Sequence, residues 1–326
     1  MVDYSTISKV SIAPMMDWTD RHCRYFLRLL TPNARLYTEM VTAAAIVHGD
    51  LDSLLRYDES EHPIALQLGG SDVDWMTIAA TAAADFAYDE TNINVGCPSD
   101  RVQSGQFGAC LMASPEIVAA CYVAMREKVD VPVTIKTRIG IDDQDSYEFL
   151  TSFVEPLIDV GCQTFVVHAR IAILEGLSPK ENRTVPPLNY DRVYQLKDDY
   201  PDIEIILNGG VQTLEQVDEI LDKVDGVMIG RQAYHHSYFL AQLENHLNPD
   251  WELPDRRAIV EQMIPYIDSQ LVAGERLCSI TRHMYGLFAD QPGARAWRRF
   301  LSENAYREGA GTDVVIDALD AMLMAA

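Results

Sequence analysis

The stretch Thr91-Asn92-Ile93-Asn94-Val95-Gly96-Cys97-Pro98-Ser99 is a short β-like run that passes directly into a turn. Gly96 allows the backbone to turn without a clash at Cβ, and Pro98 restricts the direction in which the chain leaves. The turn therefore presents the Cys97 thiol just past the end of a strand. A free cysteine is more often a small buried side chain than a reactive one, so both roles are open at this point.

Short apolar runs of the same kind recur from residue 10 to residue 229. Most are continuous, which is typical of parallel strands that are buried on both faces. Amphipathic segments lie between them, and one of these begins with Ser114 as a predicted N-cap and Pro115 at the first helical position. The predicted strands are Val10–Ala13, Leu36–Thr38, Ile64–Leu68, Thr91–Asn94, Val133–Thr137, Thr164–His168, Glu204–Leu207 and Gly226–Ile229. The predicted helices are Asp72–Phe86, Pro115–Lys128, Tyr147–Val160, Tyr190–Asp198 and Leu214–Lys223.

Eight strands that alternate with helices predict an α/β fold, namely a (β/α)8 TIM barrel, with a doubly wound sheet as the alternative. The pattern changes after Asn245. Pro249 and Pro254 mark a linker there, and the remaining segments are helical without strand-like alternation. We therefore predict a barrel domain over residues 1–245 and a separate all-helical domain over residues 246–326.

Polar residues and glycines stand at the ends of the predicted strands. In a barrel the carboxyl ends of all strands meet at one face, where active sites are built. A single Lys or His there also has an ordinary structural interpretation, because a lysine stem can run along apolar surface and a histidine is often a core residue. The residues at these ends are Gln67, Asn94, Lys136, Arg138, His168, Arg170, Asn208, Gly209, Gly210, Gly230 and Arg231.

Two of these ends together predict a phosphate site. Asn208-Gly209-Gly210 alone is an ordinary turn. With Gly230-Arg231 after the next strand, however, it matches the usual place where barrels bind phosphate through backbone N–H groups and a cation. Lys136 is suited to the electron-rich edge of a cofactor ring such as a flavin. No glycine-rich dinucleotide fingerprint follows the first strand, so a stably bound NAD is not predicted.

The chain is strongly acidic, with a formal net charge of −23 and only six Lys among its 26 basic residues. Taken whole, such a chain repels a polyanion. Its arginines are nevertheless clustered, because residues 276–307 hold six Arg and two acidic residues. Either this cluster is a solvated helix face, or it binds phosphate, for which the forked guanidinium group is suited.

The cysteines and the chain termini predict a cytoplasmic protein with no membrane association. The cysteines are too widely spaced for a disulfide framework or a paired zinc pattern, which favours a reducing compartment. No apolar run reaches the roughly 18 residues of a membrane-spanning helix, and the N-terminus lacks a secretory pattern. The six are Cys23, Cys97, Cys110, Cys121, Cys162 and Cys278.

Taken together, these motifs resemble the dihydrouridine synthase family, flavin enzymes that reduce uridine in transfer RNA. The resemblance runs essentially end to end. Its motifs are Ala13-Pro14-Met15, Gln67, Asn94-Val95-Gly96-Cys97-Pro98-Ser99, Lys136-Thr137-Arg138, His168-Ala169-Arg170, Asn208-Gly209-Gly210 and Gly230-Arg231. Three more stretches resemble the bacterial A-type subfamily, which modifies tRNA positions 20 and 20a: residues 17–24, 177–183 and 293–299. Ile171 departs from the pattern, since a Lys is expected after His-Ala-Arg.

The resemblance implies a cofactor and its ligands. FMN would be bound by the barrel, and NADPH would reduce it and leave. The residues implied to bind the isoalloxazine ring and ribityl chain are Pro14, Met15, Met16, Gln67, Lys136 and His168. Those implied to bind the phosphate are Asn208, Gly209, Gly210, Gly230 and Arg231.

The resemblance also implies a substrate and a catalytic residue. The target uridine would be flipped out of the tRNA D-loop, because its C5–C6 bond cannot be reached in a stacked loop. Hydride would go to C6, and Cys97 would protonate C5 from the opposite face as a general acid. The helical domain would hold the tRNA, and no stable protein partner or metal is implied. The residues implied to contact uracil, ribose or RNA are Asn94, Arg138, Arg170, Lys180, Asn182, Arg183, Arg295 and Arg298.

Two other functions stay open from the sequence. One is an FMN barrel that acts on a small molecule, like a dihydroorotate dehydrogenase; the arginine-rich helical region argues against it. The other is a non-catalytic tRNA-binding protein; the combination of Cys97, Lys136 and His168 argues against that. Bound flavin would exclude the second alternative, and retardation of tRNA on a gel would exclude the first.

Overall fold

A computed structural model describes residues 9–325, apart from the side chains of residues 100 and 101. Its strands are β1 (Val10–Ile12), β2 (Arg35–Tyr37), β3 (Val41–Thr42), β4 (Ile64–Gly69), β5 (Glu90–Val95), β6 (Val133–Arg138), β7 (Thr164–His168), β8 (Glu204–Asn208) and β9 (Gly226–Ile229). Eight of them form a ring in the order β1, β2, β4, β5, β6, β7, β8 and β9, and every neighbouring pair is parallel.

The ring closes because β1 pairs with both β2 and β9, while β2 also pairs with β4. The short β3 lies outside the ring and pairs with β4. A doubly wound sheet is open at both edges, so closure decides between the two predicted folds. The predicted (β/α)8 barrel is confirmed.

The helices fall between the strands and after the last one. They are α1 (Arg21–Arg28), α2 (Ala43–His48), α3 (Leu51–Leu55), α4 (Val73–Asp85), α5 (Asp100–Ser104), α6 (Pro115–Arg126), α7 (Tyr147–Asp159), α8 (Tyr190–Asp199), α9 (Leu214–Leu221), α10 (Arg231–His235), α11 (Phe239–Leu247), α12 (Arg256–Val272), α13 (Leu277–Thr281), α14 (Ala294–Asn304) and α15 (Asp313–Met324). Short 3-10 turns occupy Glu59–Glu61, Gly108–Ala113, Glu181–Arg183 and Arg282–Gly286. No helix in residues 9–325 is long and apolar enough to cross a membrane.

The five predicted helices correspond to α4, α6, α7, α8 and α9. Their starts follow ordinary capping chemistry, as where the Asp72 side chain accepts from the backbone N–H of Trp75 at 2.9 Å. Ser114 differs from the prediction. It occupies the N-cap position of α6, but its side chain makes no capping hydrogen bond there. Its carbonyl oxygen accepts from the Ile117 N–H at 3.1 Å instead, and Pro115 provides the fixed φ at the first turn.

The chain divides into two compact units. The first contains the barrel strands and comprises the described residues up to Met16 together with Ala34–Gly230. The second comprises Asp17–Asn33 and the chain from Arg231 onward. The predicted boundary after residue 245 therefore differs from this division, although an independent RNA-binding domain over residues 246–326 stays a prediction.

Polar contacts between distant parts of the sequence explain why α1 belongs to the second unit. Asp20 accepts from the backbone N–H of Cys23 at 3.0 Å and so caps α1. The same carboxylate accepts from Arg282 at 2.5 Å and lies 3.0 Å from His283. At the other end of α1, the Thr31 hydroxyl donates to Glu244 at 2.6 Å. Such contacts leave no trace in local composition.

Candidate active site

The carboxyl ends of four adjacent strands bring the predicted site residues to one rim of the barrel. In the strand register, Asn94 of β5 lies beside Lys136 of β6. Arg138 of β6 lies beside His168 of β7, and His168 lies beside Asn208 of β8. These pairings bring polar side chains from four strands close together at one rim.

Lys136 is half-buried at this rim, and its Nζ donates to Oδ1 of Asn208 at 3.0 Å. Asn208 is oriented in turn by its own Nδ2, which donates to the Met228 carbonyl at 2.8 Å. Burial lowers the pKa of Lys136 to about 7; the positive charge of Arg138 lowers it further, and Cys97 opposes the shift. The lysine therefore gains or loses its proton near neutrality, where an incoming anion would favour the charged form.

Three glycines follow β8 and β9: Gly209 is buried, Gly230 is half-buried and Gly210 is exposed. Gly209 and Gly210 have φ of 121° and 75°, which favour glycine. A Cβ on Gly210 would lie 2.5 Å from Leu188, whereas a Cβ on Gly230 would meet only Ala13, at 3.9 Å. The N–H groups of these glycines, with open space beside Gly230 and Lys136 on the same rim, form a donor set that fits a phosphate-bearing ring cofactor.

The Ala13-Pro14-Met15 motif directly follows β1. Met15 is buried, with 6% of its surface exposed, and Met16 is 54% exposed. Pro14 is half-buried between them and the end of β1. A buried and an exposed methionine in succession provide apolar surface at the start of the barrel, as a flat ring requires.

Arg138 is buried and joins three segments of the barrel unit. Its Nε donates to the Gly96 carbonyl at 2.8 Å. Its Nη1 donates to the carbonyls of Ile171 at 2.8 Å and Asn182 at 3.2 Å. Burial lowers its pKa to about 10, so it stays charged at neutral pH. Two of its three nitrogens thus donate to backbone carbonyls, and Nη2 is the nitrogen that would contact a substrate.

Asn182 is completely buried. Its Nδ2 donates to the Ile173 carbonyl at 2.8 Å and to the Leu177 carbonyl at 3.2 Å, and its Oδ1 accepts from the Ile173 N–H at 2.7 Å. The predicted RNA contact of Asn182 is therefore corrected, because none of its surface is exposed to RNA. Asn182 shapes the segment after β7 instead.

Of the other predicted RNA contacts in this segment, Lys180 is exposed and Arg183 is half-buried. Arg170 donates to the Pro186 carbonyl from a half-buried position. Ile171, where a lysine is expected, offers its carbonyl oxygen to Arg138. This contact is made by the backbone, so the missing lysine side chain does not disturb it.

Cys97 is half-buried on a turn that is held at several points. The backbone N–H groups of Gly96 and Cys97 both donate to Oδ1 of Asn94, at 3.1 and 3.0 Å. The Cys97 carbonyl accepts from the Ala109 N–H at 2.9 Å. Its Sγ lies 3.5 Å from the Ser99 hydroxyl. The thiol is therefore fixed at the rim and remains partly accessible.

The barrel interior below this turn contains a chain of side-chain hydrogen bonds. Asn94 Nδ2 donates to Gln67 Oε1 at 2.7 Å, and Gln67 Nε2 donates to Asn92 Oδ1 at 2.8 Å. Asn92 Nδ2 donates to the Thr134 hydroxyl at 2.7 Å, and that hydroxyl donates to Glu90 at 2.5 Å. All five residues are at least nine-tenths buried.

Three members of this chain, Glu90, Asn92 and Thr134, were missed by the sequence predictions. A signal for two of them was present. Residues two apart in a strand point to the same face, so Glu90, Asn92 and Asn94 share one face of β5. Three polar side chains on one face of a buried strand imply a polar interior. Thr134 had no comparable signal, because its role depends on the register between β5 and β6.

The arginine cluster of the second unit is partly internal. Arg282 is paired with Asp20 at 2.5 Å. Arg295 and Arg298 are exposed on α14, whereas Trp297 and Leu301 of the same helix are buried. This segment is helical, as the three-residue spacing of the two arginines requires if they are to share a face. Their RNA contact stays a prediction.

Arg231, the predicted phosphate ligand, is the first residue of α10. It follows Gly230 of the barrel directly but belongs to the second unit. The other predicted cofactor residues, from Pro14 to Gly230, all belong to the first unit.

Comparison with known proteins agrees with this arrangement. The family described as Dihydrouridine synthase (Dus) matches residues 11–323. A protein of Shewanella oneidensis named tRNA-dihydrouridine(20/20a) synthase is 60% identical over 306 residues, covering 94% of this chain and 91% of its own. Proteins of the same name from Vibrio vulnificus and Escherichia coli K12 are 57% and 55% identical, covering 95% of this chain and 96% and 90% of theirs. The chain belongs to the dihydrouridine synthase family.

Proposed function

We propose that this chain is a flavin-dependent tRNA-dihydrouridine synthase. It reduces the C5–C6 bond of uridines 20 and 20a in the tRNA D-loop, with FMN as cofactor and NADPH as reductant. The observation that carries the proposal is 55–60% identity, over nearly the whole chain, to relatives that bear this name. Cys97, Lys136 and the glycine ends of β8 and β9 support it, because they supply a proton donor, a ring-edge cation and phosphate-binding backbone in one barrel unit.

The donors at the rim support the cofactor role. When bound, reduced FMN supplies hydride to C6 of the uracil. Lys136, oriented by Asn208, provides positive charge at the edge of the ring. His168 lies against Gly209, with about 3.3 Å between its ring and the position of a Cβ there, so it supports the ribityl and phosphate side. Gly209, Gly210, Gly230 and Arg231 bind the phosphate.

The proton at C5 comes from Cys97. Its turn is anchored through Asn94 and through the carbonyl of Cys97 itself, so the thiol has a defined position. A general acid must meet its acceptor at hydrogen-bond distance, and an anchored turn can do so without the cost of ordering a mobile loop. Asn94 and Arg138 Nη2 then address the uracil.

The function is tested on an unmodified tRNA transcript. Purified protein with FMN and NADPH is incubated with the transcript, and dihydrouridine is mapped by position. We expect it at positions 20 and 20a. Flavin-dependent NADPH consumption that needs a small pyrimidine, with no dihydrouridine in tRNA, would contradict the proposal and favour the small-molecule enzyme.

Cys97→Ala is expected to bind FMN and to be reduced by NADPH at a normal rate, because the thiol acts only on the uracil. Reoxidation of the reduced enzyme by tRNA should slow by roughly 10²–10⁴-fold, the usual loss for a general acid. Stopped-flow absorbance of the flavin measures both half-reactions. Cys110→Ala, another half-buried cysteine, is the matched control and should behave as wild type. Near-normal reoxidation of Cys97→Ala would assign the proton to another group.

FMN affinity is expected to fall as the pH rises above about 7. Lys136 has a pKa of about 7 in the protein without ligand, and an anionic ligand raises that pKa. Binding therefore takes up a proton between the two values, and the affinity falls by up to about tenfold per pH unit there. Below pH 7 the lysine is charged in both states, and this contribution is constant.

Flavin fluorescence titrations of wild type and Lys136→Met, from pH 6 to pH 9, measure this dependence. The phosphate of FMN titrates identically in both experiments, so the difference between the two curves isolates the lysine. A Lys136→Met curve parallel to that of wild type would rule out proton uptake by Lys136.

The double variant Arg295→Ala/Arg298→Ala is expected to bind tRNA more weakly at low salt. Each lost phosphate contact should reduce the slope of log affinity against log salt by about 0.7–0.9. FMN content and NADPH oxidation should not change, because neither arginine is among the proposed FMN ligands. Filter binding over a salt series measures the slope.

The control for this variant is Arg126→Ala/Arg257→Ala, which removes two exposed arginines outside residues 276–307. It changes the net charge equally, so it reports the general electrostatic effect. Equal slopes for the two double variants would mean that α14 is an ordinary solvated face.

A further inference from the structure

We propose that Glu90 is a positioning residue for the reaction. Its carboxylate only accepts, and it ends a series of hydrogen bonds that all donate in the same direction. Glu90 thereby determines which amide atoms Gln67 and Asn94 present to the candidate site. It also stabilises the turn that carries Cys97. This inference deepens the proposed function and rests on it.

At Glu90, the hydrogen bonds of this series can point in only one direction. Glu90 is completely buried and accepts from Arg35, from the Tyr37 hydroxyl at 2.6 Å and from the Thr134 hydroxyl at 2.5 Å. Burial raises the pKa of Tyr37 well above its ordinary value. The pKa of Arg35 is raised by the charge of Glu90 against the opposing effect of burial. Both partners stay protonated, so the carboxylate meets donors on every side.

The hydrogen bond from Thr134 to Glu90 determines the orientation of the Asn92 and Gln67 amides. The single hydroxyl proton of Thr134 is used on Glu90, so its oxygen must accept from Asn92. Asn92 then turns its Oδ1 toward Gln67 and receives the Nε2 proton. Gln67 in turn offers Oε1 to the Asn94 amide.

The upper end of the chain imposes the same direction. Asn94 Oδ1 accepts from the backbone N–H groups of Gly96 and Cys97, and a backbone N–H can only donate. Reversal of the chain would place the Asn94 NH₂ group against both. The two ends therefore agree, and the turn at Cys97 is connected to the floor of the barrel by five side chains.

The direction has a chemical consequence at the site. The oxygen of Asn94 is occupied by two N–H groups and one of its amide protons by Gln67, so one N–H of Asn94 is left for a ligand. Asn94 therefore presents a donor, which suits a carbonyl oxygen of a pyrimidine ring and not its N–H. Gln67 retains one N–H and one lone pair, so it can address a ring edge that carries both a carbonyl and an N–H.

A direct test at Glu90 is unsuitable. Removal of its carboxylate would leave the Arg35 guanidinium buried without its counter-ion, and such variants lose several kcal/mol of stability. Thr134 is the better position, because Thr134→Val keeps the shape and removes only the hydroxyl that joins Glu90 to Asn92.

The chain offers a matched control and a rescue variant. Thr91 is also completely buried, and within residues 9–325 its hydroxyl has no hydrogen-bond partner. Thr91→Val therefore makes the same chemical change outside the network. Thr134→Ser keeps the hydroxyl and loses only a packed methyl group, so it should retain both hydrogen bonds at position 134.

Two measurements on the full-length protein test the inference. Amide hydrogen exchange at Gly96 and Cys97, followed by NMR, reports the strength of their hydrogen bonds to Asn94. Fluorescence titration with FMN reports the ring contacts. In Thr134→Val, we expect exchange at both amides and the FMN Kd to rise by roughly three- to tenfold, the effect of about one net hydrogen bond. Thr91→Val and Thr134→Ser should match wild type in both.

Two results would overturn the inference. One is a Thr134→Val protein that matches Thr91→Val in both measurements. The other is a Thr134→Ser protein as impaired as Thr134→Val, which would assign the effect to packing of the methyl group. If wild type binds no FMN, the cofactor part of the proposed function fails. Hydrogen exchange still tests whether the hydrogen bonds that connect Glu90 to the Cys97 turn stabilise that turn.

Discussion

The pairing of β2 with β4 closes the parallel sheet, and the candidate site depends on that closure. All strands of a closed parallel barrel end at the same rim, so residues far apart in the chain become neighbours. Asn94, Lys136, His168 and Asn208 stand on four successive strands of this ring, and closure brings the ends of β1 and β9 round to the same ring. An open parallel sheet would also gather the carboxyl ends at one edge, but it would separate β1 and β9 from β4 and β5 by the width of the sheet.

A polar rim creates a difficulty inside a small barrel, because amides that lose contact with water must find partners. The chain from Asn94 to Glu90 meets this requirement. Each side chain in it donates to the next one, and the last hydrogen bond is accepted by the Glu90 carboxylate. Arg35 balances the charge of that carboxylate. The cost of burying one of these groups alone is several times the net gain from one hydrogen bond. The rim and the floor of the barrel are therefore energetically linked.

Two pairs of cations in this acidic protein differ in their surroundings. Lys136 and Arg138 are withdrawn from water, and each is held by an amide or by backbone carbonyls. Such cations act locally, on a ring edge or on the shape of a turn. Arg295 and Arg298 are exposed on a helix of the second unit. In the proposed function they bind the tRNA backbone with counter-ion release, which a chain of net charge −23 can support only where arginines are concentrated.

Much of the architecture was determined by the sequence alone. The eight strands were predicted to within a residue or two, because a strand buried on both faces needs a continuous apolar run. The placement of Cys97, Lys136 and Asn208 at strand ends followed from the same pattern. The five helices between strands, and the shared face of Arg295 and Arg298, depend on spacings of three and four residues that are visible in any single sequence.

The tertiary structure decided the partners. Arg138 bonds to Gly96 and Asn182, which are 42 and 44 residues away. Thr134 reaches Glu90 across 44 residues, and α1 is tied to the second unit through a contact spanning 262 residues, between Asp20 and Arg282. The burial of Asn182, which changed its predicted role from an RNA contact to a loop constraint, depends on contacts of this kind. Sequence patterns report what a residue requires from its immediate neighbours in the chain. Which distant group satisfies a buried polar atom depends on strand register and loop packing, and these exist only once the barrel has closed.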